Sequence, residues 1–166
     1  MPELTLQRVE PGRYTLGELG TLRSGRRFGA KIEAEGTVWA LRRGPLPTGG
    51  VITATDAATG TRQARYVPGG FLRLSGIYRG TIELGERELD WRADHRMGEH
   101  FTLRESGYVL AKLDAGTDAQ PVSVALFGLH HLEALPLLFC CCIVKRVVDM
   151  TMAAGSPGAP VASPGG

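Results

Sequence analysis

Arginine in close pairs is the densest chemistry this chain offers: Arg26-Arg27, Arg42-Arg43, and Arg62 with Arg65 a few positions on. A guanidinium presents a planar fork of N–H donors that matches phosphate or carboxylate oxygens, so these residues form a candidate lipid- or anion-binding set. Neighbours on an extended strand face opposite ways, so only one member of each adjacent pair can serve a given surface. The same residues fit equally simply on a solvated exterior. A second titratable group, Asp90, Asp94, His95, Glu99 and His100, surrounds a loop between two expected strands. General acid–base work needs these groups to converge, and their spacing alone reads as a polar loop. His130, His131 and Glu133 lack the His-Glu-x-x-His spacing and any second ligand cluster, which points to a polar turn and helix cap rather than a metal site. Gly-x-Ser-x-Gly and Gly-x-x-x-x-Gly-Lys are both absent despite 23 glycines, so no catalytic residue and no cofactor is expected.

The elements that must position these residues are mostly strands. With 166 residues and 43% hydrophobic content the chain is long enough for one domain with a real core. A net charge of +2 is far from that of a disordered polyelectrolyte. Residues 8–79 carry twelve Lys/Arg against five Asp/Glu, and residues 80–149 carry seven against eleven, a basic half followed by an acidic one. Such an asymmetry is able to orient a molecule toward an anionic surface.

Alternation with a period of two is clearest in Phe28-Gly29-Ala30-Lys31-Ile32-Glu33-Ala34-Glu35, where the even positions face inward. The Glu35-Gly36 step then predicts a hairpin into 37–41. Leu89, Trp91 and Ala93 alternate with Glu88, Asp90, Arg92 and Asp94 in the same way. Strands are expected at 13–16, 28–35, 37–41, 51–55, 62–67, 71–75, 81–84, 88–93, 101–104, 108–113 and 122–127. Gly- and Ser-containing turns separate them. About ten to twelve short strands at this spacing predict a barrel or sandwich of mainly β class. Trp39 and Trp91 fall on inward phases and are expected in the core. Exposed aromatics interleaved with basic residues are not evident, so nucleic acid is not an expected partner.

After Gly128 the pattern changes. Leu135-Pro136-Leu137-Leu138-Phe139-Cys140-Cys141-Cys142-Ile143-Val144 is apolar on nearly every face and ends at Lys145-Arg146. Pro136 suits a first helical turn, where its missing N–H costs nothing. One helix is expected over about 133–150. About 15 residues at 1.5 Å each span roughly 22 Å, short of the roughly 30 Å bilayer core, so no transmembrane span is expected. Burial inside the protein remains, and a ring of about a dozen strands can enclose a helix in place of a side-chain core. Consecutive cysteines on a helix diverge, which predicts reduced, buried thiols rather than a disulfide. Residues 151–166 are built from Gly, Pro, Ala and Ser and are expected to be a disordered tail after a domain of residues 1–150. The mixed opening Met1-Pro2-Glu3-Leu4-Thr5 does not read as a signal peptide, and a cytoplasmic protein is expected.

The run Gly12-Arg13-Tyr14-Thr15-Leu16, the stretch Val-Ile-Thr-Ala-Thr-Asp-Ala-Ala-Thr-Gly at 51–60, Phe101-Thr102-Leu103 with Ser106-Gly107, and the terminal apolar helix together resemble the tubby C-terminal-like superfamily. Within it, the LURP-one-related and phospholipid-scramblase-like proteins of actinobacterial type are nearest in pattern, over residues 4–150. The resemblance implies a closed antiparallel barrel of about twelve strands around a central C-terminal hydrophobic helix. It also implies relatives that bind phosphoinositides or associate with membranes. A lysine-rich lipid signature is absent, with only Lys31, Lys112 and Lys145 present, so no binding residue is carried over individually. The expectation is a non-enzymatic binding or scaffolding module, with anionic membrane lipid as its partner at the inner membrane face. The alternatives are a carrier or enzyme using a barrel cavity, and a tail-anchored protein using residues 122–148.

Overall fold

A computed structural model describes residues 3–24, 29–44, 51–69, 79–93, 100–115, 122–127 and 132–155, with helix side chains described as far as Lys145. Its elements in chain order are β1 (Glu3–Glu10), β2 (Arg13–Leu16), β3 (Gly20–Ser24), β4 (Ala30–Ala34), β5 (Thr37–Arg43), β6 (Ile52–Asp56), β7 (Arg62–Pro68), β8 (Arg79–Leu84), β9 (Arg87–Ala93), β10 (His100–Glu105), β11 (Tyr108–Asp114), β12 (Val122–Leu126) and α1 (Ala134–Gly155). The twelve strands close into one antiparallel barrel in which each pairs with its neighbours in the chain. Closure comes from β1 against β12, with Glu3 opposite Ala125 and Leu6 opposite Val122. Among the described strands, closure leaves no edge exposed for pairing with another chain.

The expected phases hold strand by strand. In β4, Ala30, Ile32 and Ala34 are buried while Lys31 faces out, and in β9 Leu89 and Trp91 are buried. Trp39 and Trp91 are both core residues, and Trp91 stacks on Phe101 with centroids 5.0 Å apart. Glu35 and Gly36 turn β4 into β5 with φ of 51° and 75°, the left-handed pair a two-residue hairpin requires. The alternation had not pointed to β1 or β3. Each buries a single residue, Leu6 and Leu22 respectively, and one inward side chain leaves no period to read. The strand expected at 71–75 lies outside the described residues.

α1 fills the barrel. Every residue from Ala134 to Val144 is buried, and at 3.6 residues per turn that leaves no face of the helix open to solvent. These residues span about 16 Å, close to the roughly 18 Å that a seven-residue strand tilted by about 40° rises along a barrel axis. The helix meets different parts of the wall: a Cβ on Gly20 of β3 would lie 2.8 Å from Leu138 Cδ1, and the Lys145 ammonium sits 4.4 Å above the Tyr14 ring of β2. Gly20 therefore lets the helix approach where a side chain would push it away. The helix runs on to Gly155, past the end expected near 150; residues 156–166 lie outside the described residues. Phe139 is fully buried, so Phe139→Ala is expected to lower unfolding free energy by about 3–5 kcal/mol in urea titrations. A cost below about 1 kcal/mol would contradict a helix packed on all sides.

Because successive strands reverse direction, the barrel has two distinct ends. The links after β2, β4, β6, β8 and β10 share one end and are short; this is the turn end. The links after β1, β3, β5, β7, β9 and β11 share the opposite, loop end. β12 finishes at the turn end, so α1 enters there and runs toward the loop end, where Lys145 meets the first half of β2.

Candidate functional site

Neighbours in the chain are neighbours around the barrel, so the basic first half of the sequence becomes one continuous wall, β2–β7. Its outward side chains line up by register. Arg13 stands opposite Arg23, Arg23 opposite Lys31, Lys31 opposite Ala40, Ala40 opposite Thr55, and Thr55 opposite Arg62. A second row runs from Arg42 through Thr53 and Arg65 to Glu83 and Glu88. Like charges directly opposite on paired strands oppose folding, so the Arg13–Arg23–Lys31 row needs counter-charge.

Acidic neighbours supply part of it. Arg13 lies 3.6 Å from Glu10, Arg23 3.9 Å from Glu33, and Arg65 3.4 Å from Glu83. These are long, exposed pairs of small individual worth. Arg13 and Arg65 each also keep a buried Nε–H without a hydrogen-bond acceptor. Among the described residues Lys31, Arg42 and Arg62 form no ion pair, and all three are exposed.

Of the arginines singled out by sequence, Arg42, Arg62 and Arg65 thus stand on this wall. Arg43 is exposed at the rim of the loop end, on the inward phase opposite Ile52. Arg26 and Arg27 lie outside the described residues, in the link between β3 and β4. Arg42 and Arg65 share a row, whereas Arg62 sits at the start of β7, toward the turn end.

Of the titratable loop group, Asp90 and His100 lie among the described residues. Asp90 pairs with Arg92 at 2.7 Å, His100 with Asp114 at 2.5 Å, and Asp94, His95 and Glu99 lie outside the described residues. Asp90 faces Arg104 on β10, four positions along from His100, so the two pairs stay apart. His130 and His131 also fall outside, and Glu133 is exposed beside Arg87. Among the described residues, no group of three or more His, Cys, Asp or Glu is placed to hold a metal. All three cysteines are buried inside the barrel as thiols rather than in a disulfide.

One feature escaped the sequence reading. An open groove of about 570 Å³ lies at the turn end, lined by Glu83, Glu86, Arg87, Glu88, Glu105, Ser106 and Gly85. Arg87 holds Glu105 through two hydrogen bonds of 2.8 and 3.1 Å, which ties the β8–β9 turn to the β10–β11 turn. The clustering of Glu83, Glu86 and Glu88 was the available signal. It joins Glu105 only through the pairing of β9 with β10.

Among the described residues no helix is long and apolar enough to cross a membrane. No protein-family model matches the chain, and neither does any curated protein or solved structure.

Proposed function

We propose that the protein is a non-enzymatic binding module of tubby C-terminal-like type that docks peripherally on anionic membrane lipid, phosphoinositides included, at the inner membrane face. The observation that carries this reading is the β2–β7 wall, where Lys31 and Arg42 are exposed without counter-charge beside rows of cations that are only partly neutralised. An anionic surface relieves that repulsion, and each exposed cation near it contributes about 1 kcal/mol. A carrier or enzyme working inside the barrel is disfavoured because α1 occupies the interior with side chains buried on every face.

The test is sedimentation with vesicles of zwitterionic lipid alone or with anionic lipid added, at low and physiological salt. Binding is expected only to the anionic vesicles and weaker at higher salt, since the Debye length shortens to about 8 Å at 0.15 M. The triple variant Lys31→Gln/Arg42→Gln/Arg43→Gln is expected to bind about 100-fold more weakly. A wild-type protein that ignores anionic vesicles even at low salt would remove the proposal.

A further inference from the structure

Three neighbouring strands carry cations and hydroxyls with almost no acid among them. β5, β6 and β7 hold a single carboxylate, Asp56, whose Oδ1 accepts from the Ala58 and Thr59 backbone N–H groups at 2.8 and 3.3 Å. With Leu41, Ala54 and Ala64 buried on the inward phase, Arg42, Thr53 and Arg65 face out. Thr53 stands directly opposite Arg42 on one side and Arg65 on the other. Two strand spacings separate the two arginine Cα atoms by about 10 Å, with Thr53 midway, a gap that two arginine side chains can close from both sides.

The donors in this row are under-used. Arg42 is exposed and forms no ion pair among the described residues. Arg65 lies 3.4 Å from Glu83, yet its buried Nε–H has no hydrogen-bond acceptor. The Thr53 hydroxyl donates only to the Arg42 carbonyl, at 3.4 Å, beyond the usual range for an O–H donor. The Arg13–Arg23–Lys31 row differs on both counts: Glu10 and Glu33 stand beside it, and no hydroxyl lies between its cations.

We infer that Arg42, Thr53 and Arg65 form a subsite for a phosphate monoester, the terminal phosphate of a lipid headgroup. This rests on the lipid-docking reading and adds which headgroup the wall selects. Two guanidinium forks match a dianion in charge, and they reach it from opposite sides while the hydroxyl between them donates as well. A phosphate monoester carries a charge of about −1.5 to −2 and three oxygens able to accept those donors. A phosphodiester offers two free oxygens and one negative charge, which leaves one fork unmatched. A carboxylate is planar and is satisfied by a single fork.

Vesicles matched in surface potential separate such a subsite from diffuse attraction. One set carries phosphatidic acid, whose phosphate is a monoester, and the other phosphatidylglycerol, whose phosphate is a diester. The wild type is expected to bind the first set about 10-fold more tightly. Arg42→Lys/Arg65→Lys keeps the charge and removes both forks, so it is expected to bind the two sets equally. Arg79→Lys/Arg92→Lys, on β8 and β9, is expected to keep the preference. Equal binding of both sets by the wild type, or an undiminished preference in Arg42→Lys/Arg65→Lys, overturns the subsite while leaving lipid docking intact. No binding to either set overturns the lipid reading itself. If glycerol phosphate then raises the melting temperature of the wild type but not of Arg42→Lys/Arg65→Lys, a soluble phosphate monoester replaces the headgroup as the source.

Discussion

A chain ended at residue 131 is expected to lose the barrel, not merely its centre. Leu16, Leu22, Ile32, Leu41, Ile82, Leu103 and Leu113 reach inward from the wall and are fully buried against α1 and one another. Without the helix they would line a water-filled lumen. The helix itself withdraws Leu135, Leu137, Leu138, Phe139, Ile143 and Val144 from solvent. At about 1.5–3 kcal/mol for each large apolar side chain, that burial alone rivals the roughly 5–15 kcal/mol net stability of an ordinary domain. Circular dichroism and amide NMR dispersion should therefore report an unfolded or aggregated chain. A soluble truncated protein with a dispersed, strand-rich spectrum would mean that the wall stands unaided and that α1 is not its core.

Stability is expected to fall steeply in alkali. Burial raises the Cys140 and Cys141 thiols far above their ordinary range, with the neighbouring cysteine adding to the effect, and burial likewise raises the Tyr66 phenol. In the unfolded chain these thiols titrate near 8.5. Below that pH both states keep their protons and the thiols leave stability unchanged. Above it the unfolded state releases protons that the folded state retains, so unfolding is favoured by about 1.4 kcal/mol per pH unit for each thiol. Two thiols cost up to about 5 kcal/mol between pH 9 and pH 11, and Tyr66 adds to this once free phenols ionise near pH 10. Urea midpoints measured from pH 8 to 11 should fall accordingly, and Cys140→Ala/Cys141→Ala should flatten the slope. Native protein at pH 8 should leave all three cysteines unreacted with a thiol reagent and expose them together in urea. A midpoint that holds constant to pH 11 would place these thiols in contact with water.

How legible each part was depended on how far apart its determinants lie in the chain. β4 and β9 were plain because three inward residues alternate within a few positions, and their side chains answer to local pleating alone. β1 and β3 were not, because Leu6 and Leu22 each stand as the single buried residue of a strand. They are strands because β2, β4 and β12 offer them hydrogen-bonding edges, which is a property of the neighbours. The candidate surface divided in the same way. Arg42 and Arg65 could be named from their residue type, but that Thr53 brings them into one row depends on the pairing of β6 with both β5 and β7. Arg62, which looked equivalent to Arg65, opens β7 three residues nearer the turn end, and the irregular register between Ala54 and Thr55 sets it opposite Thr55.

By itself the sequence determined that the chain alternates, turns at Glu35-Gly36 and Ser106-Gly107, and ends in a helix too apolar to face water and too short to cross a bilayer. Each of these is a short-range property, set by the pleat, the left-handed turn and the apolar run. Only the tertiary structure decided that β1 closes on β12 and that Arg42 and Arg65 fall in one row across β5, β6 and β7. A linear count averages each strand over its length; antiparallel pairing reverses every second strand, so Arg79 at the start of β8 and Arg92 near the end of β9 come to rest side by side.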